Sequence, residues 1–311
     1  MKALVTGATG LLGSEIMRLS PGSVGLTSKD CDLTGSNHAI LTLEEGRVDT
    51  VIHCAARVGG VKANTDYAAD FFDDNVKMNM NVLKACKEAR HKLVSVLSTC
   101  VYPDASHARY PLTEDQMHNG PPPVSNFGYA YAKRMIDVQS QAYRKQFGCN
   151  FISVIPNNLY GPKDNYDLNS GHVIPALIRK FHEAMLEGRN EVVVWGTGLP
   201  VREFTFARDA AEIILWLAEN YDGEEPVNIG NPDSISIKHL SLMIGEEIGF
   251  EGHVRFDTSK PDGQYEKPSS NEKLRSLGWK GEYTQLRDGL RQTVNYFRSR
   301  YPSVRGCFEK L

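Results

Sequence analysis

The stretch from Lys2 to Ile16, "KALVTGATGLLGSEI", decides how the rest of the chain is read. It opens on a short apolar run, turns through Gly7, Gly10 and Gly13, and continues in residues that favour helix, with Leu11, Leu12 and Ile16 on an apolar face. Glycines in such a turn let backbone N–H groups approach an anion that then rests on the helix N-terminus, as a dinucleotide's pyrophosphate does. The spacing G-x-x-G-x-x-G is one residue wider than the commoner fingerprint. Its place as the first strand–turn–helix of a series gives it weight over an ordinary turn.

That series continues through the first half. "SVGLT", "TVIHCAA", "KLVSVL" and "NFISVIP" read as strands, separated by helical patterns around "SNHAILTLEEG", along "DFFDDNVKMNMNVLKACKEAR" and from Tyr129 to about Phe147. Short apolar runs alternating with longer helices predict an α/β chain with a Rossmann-type, doubly wound parallel sheet. After Pro156 the texture changes. A loop "NNLYGPKDNYDLNSG" precedes a helix beginning near His172; strand "EVVVW" and loop "GTGLPVREF" lead to a helix for which Asp209 is the expected N-cap. Strand "PVNIG" and helices near "IKHLSLMIGEEIG" and "YTQLRDGLRQTVNYFRSRY" follow. The expected division is a dinucleotide-binding domain over 1–157, with a contribution from about 190–220, and a smaller interleaved α/β substrate-binding domain drawn mainly from 158–311.

Composition narrows the function classes. The 311 residues carry a formal net charge of −3, which gives no argument for nucleic acid or an anionic membrane as partner. No apolar run approaches the ~18 residues a membrane span needs, and "MKALVTGATG" leaves no room for a signal peptide's apolar region. The six cysteines are scattered and form no C-x-x-C pair, against a disulfide framework or a thiolate metal site. A cytoplasmic setting without a metal centre is the expectation.

An acidic residue ending the second strand would bind a ribose 2′-hydroxyl and repel a 2′-phosphate. Here Thr27, Ser28 and Lys29 come first, which favours NADPH over NADH, with Asp30 as the neighbouring acid. The expected cofactor contacts are Gly7, Thr9, Gly10, Leu11, Leu12 and Gly13 in the loop, Ser28, Lys29, Asp32 and Leu33 after the second strand, and Ala55 and Ala56 after the third. Tyr129, Lys133, Pro156, Asn158, Leu159 and His172 complete the set around the nicotinamide.

"FGYAYAKRM" places Tyr129 and Lys133 four apart on one helical face. A phenol is a weak acid at neutral pH, with a pKa of about 10, and a nearby ammonium brings it into a useful range. Ser98, at the end of the fourth strand, can hydrogen-bond the same substrate oxygen. Together they make a site for giving a proton to a carbonyl while hydride arrives from a nicotinamide. Cys100, two residues after Ser98 in "VLSTCVYP", reads on its own as a small packing residue.

The glycine loop, Ser98, the Tyr129/Lys133 pair, "NVKMNMNVL" and "GTGLPVREF" resemble the extended short-chain dehydrogenases/reductases. Within them, "RVGGVKANTDYAADF", "LSTCVYP", "NLYGPKDN", "GHVIPALIRKFHEA", "VVVWGTGLPVREF" and "KPDGQ" are similar to the GDP-L-fucose synthase family. The resemblance runs in family order from residue 7 to about 264. It implies conversion of GDP-4-keto-6-deoxy-D-mannose to GDP-L-fucose, by epimerisation at C3 and C5 and NADPH-dependent reduction at C4. It makes Cys100 the base and His172 the acid of epimerisation, with Ser98, Tyr129 and Lys133 serving reduction. It further implies Arg202 as a ligand of the GDP diphosphate, Asn158, Arg179, Lys180 and Lys260 as further substrate contacts, Trp195 beside the nucleotide, and Asn75 as a brace. Asn157 stands where many relatives carry Thr, and "RK" at 179–180 replaces an Arg pair seen in some. Related dehydratases carry an acidic pair where this chain has Thr99 and Cys100, and 4-epimerases lack the Cys/His pair. A non-catalytic NADP-binding scaffold is the rival from another class. The resemblance also implies a homodimer joined through a four-helix bundle.

Overall fold

The computed structural model describes residues 1–35, 48–260 and 262–307; the helix expected around Ser36–Gly46 lies outside the described residues. The strands are β1 (Ala3–Thr6), β2 (Val24–Leu26), β3 (Thr50–His53), β4 (Lys92–Val96), β5 (Phe151–Ile155), β6 (Asn158–Tyr160), β7 (Glu191–Trp195), β8 (Val201–Phe206), β9 (Val227–Asn228), β10 (Ser234–Ser236) and β11 (His253–Asp257). The helices are α1 (Leu11–Leu19), α2 (Val61–Asp66), α3 (Ala68–Ala89), α4 (Phe127–Phe147), α5 (Val173–Leu186), α6 (Ala207–Asn220), α7 (Ile237–Ile248), α8 (Glu272–Ser276) and α9 (Leu286–Arg300).

Six strands pair in the order β2-β1-β3-β4-β5-β9, every neighbour parallel, with Leu4 opposite both Val24 and Val51 and Val94 opposite Ile152. The strand runs are apolar without alternation because both faces are covered. On one face Val5, Ile52, Val94 and Ile152 pack with Leu12 and Ile16 of α1 and Ile213, Ile214 and Leu217 of α6. On the other, Leu4, Val51, Leu93 and Ile155 pack with Val82 and Leu83 of α3 and Ile136 of α4. The strand order reverses at β1, which has β2 on one side and β3 on the other. The carboxyl ends of β1 and β3 therefore form the crevice where α/β sheets of this kind bind ligands.

A third core cluster gathers Tyr160, Phe181, Val192, Phe204, Leu240, Ile244, Leu290 and Phe297 around two small sheets, β10-β8-β6 and β11-β7. The segment 190–220 divides between the two regions. β7 pairs with β11, away from the large sheet, whereas α6 and then β9 join it.

Three local expectations are corrected. "VREF" is the start of strand β8 rather than loop, and Asn158–Tyr160 forms a short strand beside it. The N-cap of α6 is Phe206, not Asp209. Asp209 lies in the first turn, where its carboxylate accepts from the backbone N and Oγ1 of Thr284, both at 2.7 Å. Its acceptor capacity goes to a segment 75 residues away instead of to its own helix.

Candidate active site

The glycine turn makes a cradle that side chains would fill. Gly7 has φ +67°, a left-handed conformation open to glycine, and a Cβ there would sit 2.9 Å from the backbone N of Ala55. A Cβ on Gly13 would come within 2.3 Å of the Gly7 carbonyl oxygen. Gly10 caps α1 without a side chain, so the first N–H groups of the helix face the cradle uncovered by protein side chains. These features fit a dinucleotide's pyrophosphate. Thr9 is exposed at the turn, Leu11 is half-buried and Leu12 is buried beneath it.

Ser28 and Lys29 are exposed just beyond the end of β2. Asp30 turns back on Thr27, accepting from its N and Oγ1 at 2.8 and 2.6 Å, and the Thr27 hydroxyl holds it below the usual carboxylate range. The acid that favours a bare ribose is thus engaged mainly by Thr27, with the Lys29 charge a smaller influence on it. Asp32 is tied in the same way to Thr34, and the Leu33 carbonyl accepts from Asn81 Nδ2 at 2.8 Å. Ala55 and Ala56 are half-buried after β3. Asn75, fully buried on α3, clamps both the N–H and the carbonyl of Arg57 at 3.0 Å, which braces the backbone just past them. The Pro156 carbonyl accepts from Thr99 N at 3.1 Å, Leu159 is half-buried, and exposed Asn158 donates to the Glu203 carbonyl at 2.9 Å.

Four of the five expected catalytic residues come together where β4 ends against α4. Ser98 caps a short 3₁₀ turn, Thr99–Val101, its Oγ accepting from Cys100 N at 3.3 Å. Tyr129 and Lys133 lie on the buried face of α4, with the Lys133 Nζ 5.9 Å from the centre of the Tyr129 ring. That ammonium donates to the Val96 carbonyl at 2.7 Å, which pins it below Ser98. Burial brings Lys133 down to about 8, while thiolates at Cys54 and Cys100 would hold it charged. Burial pushes the Tyr129 phenol well up, and a charge on Cys100 would push it further. Tyr129 and Cys100 therefore share one electrostatic environment.

Two residues that sequence reasoning passed over enter this group. Asn126, the N-cap of α4, donates through Nδ2 to the Cys100 sulfur at 3.0 Å. The contact spans 26 residues, and no local spacing announces it. Lys267 is desolvated enough to lower its pKa, and Cys100, Arg202 and Asp104 are the charges that act on it. It lies in a stretch without periodicity, and nothing local marks it.

His172 stands apart from these four: it is the N-cap of α5, open to solvent. Crowding by protein and then the charge of Arg305 hold its imidazolium below the ordinary range. The loop before it is tied down, since the Gly60 N–H donates to the Ser170 carbonyl at 2.9 Å.

The expected substrate residues divide. Trp195 ends β7 and is 56% exposed, with the ammonium groups of Lys180 and Lys260 over its ring at 5.5 and 5.6 Å from the centre. Lys180 also donates to the Val193 carbonyl at 3.2 Å. Arg202, half-buried on β8, is bonded to the carbonyls of Val201, Gln264 and Tyr265. Arg179 pairs with Glu183 at 2.7 Å and donates to the carbonyls of Tyr166 and Gly306, bracing the loop before His172 against the C-terminal segment.

A parallel sheet with a glycine cradle at its switch point, and a Ser–Tyr–Lys group beside it, defines a nucleotide-dependent enzyme of the short-chain reductase type. The profile of the NAD dependent epimerase/dehydratase family matches residues 3–230, and the chain belongs to that family. Within it the chain falls among the GDP-L-fucose synthases. The one from Dictyostelium discoideum is 43% identical over 97% of each chain, and that of Escherichia coli K12 is 34% identical over 98% of this chain and 99% of its own. The crystal structure of a GDP-L-fucose synthetase from Naegleria fowleri bound to NADP superposes with a TM-score of 0.89 at 40% identity, covering 98% of this chain and 94% of that one.

Proposed function

We propose that this enzyme converts GDP-4-keto-6-deoxy-D-mannose to GDP-L-fucose with NADPH, epimerising C3 and C5 and then reducing C4. The observation that carries the reading is the thiol of Cys100 held by Asn126 in the same electrostatic environment as Tyr129 and Lys133. A plain ketone reductase has no use for that thiol.

Both epimerised carbons flank the C4 ketone, so their protons are acidified through an enolate. Cys100 removes a proton from one face and His172 returns one to the other. The Asn126 amide orients the sulfur, and Lys267 is a cation near it. The low pKa of His172 makes its protonated form a stronger acid. Ser98 and Tyr129 hold the C4 oxygen during enolisation, so one site stabilises oxyanion character in both reactions. At reduction Tyr129 gives that oxygen its proton, and the Lys133 charge stabilises the phenolate left behind. Gly7, Gly10, Gly13, Ser28 and Lys29 would hold the dinucleotide, which when bound supplies the hydride for C4. Arg202 and Lys180 answer the charge of a nucleoside diphosphate, and Trp195 offers its face to the base.

We also infer that the enzyme is a homodimer. α3 and α4 pack along each other and leave Phe72, Met80, Phe127, Met135 and Val138 exposed on their outer face, where a second copy would complete a four-helix bundle. The test of the proposed reaction is NADPH oxidation in the presence of GDP-4-keto-6-deoxy-D-mannose, with the product identified by NMR. A product that keeps the D-manno configuration at C3 and C5 would refute it.

A further inference from the structure

His53, at the end of β3, is fully buried and belongs to none of the groups described above. Its ring joins two neighbours: Nδ1 lies 2.8 Å from Thr6 Oγ1, and Nε2 lies 3.1 Å from Asn79 Oδ1. The partners of those neighbours fix every donor and acceptor. Thr6 Oγ1 accepts from the backbone N–H of Ala55 at 3.1 Å, so its own hydrogen is free to go to His53 Nδ1. The histidine then carries its proton on Nε2 and gives it to Asn79 Oδ1. Asn79 Nδ2 donates in turn to the backbone carbonyl of Ala132, at 3.1 Å. The chain closes with one neutral tautomer and no unmet group. Burial, and then the charge of Lys133, hold the ring neutral, at about 3.

This chain of bonds spans two parts of the site. Thr6 immediately precedes Gly7, the first residue of the cofactor cradle, and Ala55 is the residue against which Gly7 packs. Ala132 immediately precedes Lys133 and lies on α4 three residues after Tyr129. Cys100 and His172 hang on other segments, the 3₁₀ turn after β4 and the N-cap of α5, which the chain does not touch. Resting on the reaction proposed above, we infer that Thr6, His53 and Asn79 are positioning residues that set the distance between the cofactor cradle and the Tyr129/Lys133 pair. They therefore serve hydride transfer, which needs cradle and pair in register, more than proton exchange at C3 and C5, for which Tyr129 only polarises the C4 oxygen. A buried chain whose members are all satisfied fixes geometry more stiffly than apolar contacts of the same size, because each bond is directional. Misplacing reacting groups by a fraction of an ångström is costly to rate.

The experiment uses near-isosteric changes, Thr6→Val and Asn79→Leu, with His53→Leu as a third variant. Each enzyme is given NADPH and the GDP-4-ketosugar in heavy water, and NADPH oxidation is followed together with deuterium entry at C3 and C5. The unmodified enzyme decides whether the proposed reaction holds; the variants decide the inference. The expected result is a loss of roughly tenfold in NADPH oxidation for Thr6→Val and Asn79→Leu, with a clearly smaller loss in deuterium entry. More deuterium then enters per hydride transferred, and the double variant is no slower than the slower single one because both break the same chain. Losses of oxidation and exchange in equal proportion, unchanged oxidation, or strictly multiplicative losses in the double variant would overturn it. If His53→Leu fails to fold, Thr6→Val and Asn79→Leu still separate these outcomes.

Discussion

Tyr129 and Lys133 show at the residue scale how burial sets chemistry. The phenol is pushed up by loss of water, and the lysine is brought down to about 8 for the same reason. Lys133 is charged below that value and loses its charge as pH rises through it. Reduction should be constant up to about pH 7 and decline as pH climbs past about 8, two units or more below the fall an exposed lysine would give. NADPH oxidation measured from about pH 6 to 10 with an already epimerised 4-ketosugar, so that His172 is not needed, checks this, and a plateau lasting to about pH 9.5 would contradict it. Tyr129→Phe removes the proton donor; reduction should fall by about 10²-fold or more, while some deuterium exchange at C3 and C5 persists because Cys100 remains. The pair was legible in the sequence because its chemistry depends on a four-residue spacing along one helix. Asn126 and Lys267 were not, because a bond to a sulfur 26 residues away and a charge arriving from a loop leave no local pattern.

The loop from Gly161 to Gly171, which leads into α5 and His172, carries a buried acid that ties its stability to pH. Asp164 within it is 4% exposed; Oδ1 accepts from Asn165 N at 2.7 Å, and Oδ2 meets no donor among the described residues. Burial raises this carboxyl to about 7, while Arg305 pulls the other way. Its folded value lies above its unfolded one, so its contribution to stability is fully present below about pH 4 and is lost as pH rises through about 7. Asp164→Asn cannot ionise. The variant should melt a few degrees above the parent at about pH 8, with the difference shrinking toward about pH 4. Thermal unfolding at several pH values tests this, and an equal shift at all of them would count against it. At this scale the glycine cradle, the long helices and the buried strands were readable from period and composition. Strand β8 was not: Arg202 and Glu203 break its apolar run, and the Glu203 carboxylate is held in the interior by Asn157 and by Ser269, which lies 66 residues away.

For the whole molecule, the doubly wound parallel sheet followed from the alternation of strands and helices, whereas the division of 190–220 between two regions did not. The pairing of β7 with β11 joins residues about sixty positions apart, and short strands so separated carry no shared signal. The apolar outer face of α3 and α4 predicts assembly. Met80→Glu combined with Met135→Lys should convert a dimer to a monomer in sedimentation equilibrium, with the fold retained by circular dichroism. A parent enzyme that sediments as a monomer would remove that part of the account. The central claim is that one site both exchanges protons beside a ketone and reduces it, and one comparison tests it most directly. The enzyme and its Cys100→Ser variant are each run to completion in heavy water with NADPH and GDP-4-keto-6-deoxy-D-mannose, and the products are examined by mass spectrometry and NMR. The account predicts deuterium at both C3 and C5 in the product of the parent and exchange slowed by about 10²–10⁴-fold in the variant. Reduction by the parent without deuterium at either carbon, or exchange at the parent's rate in the variant, would contradict it.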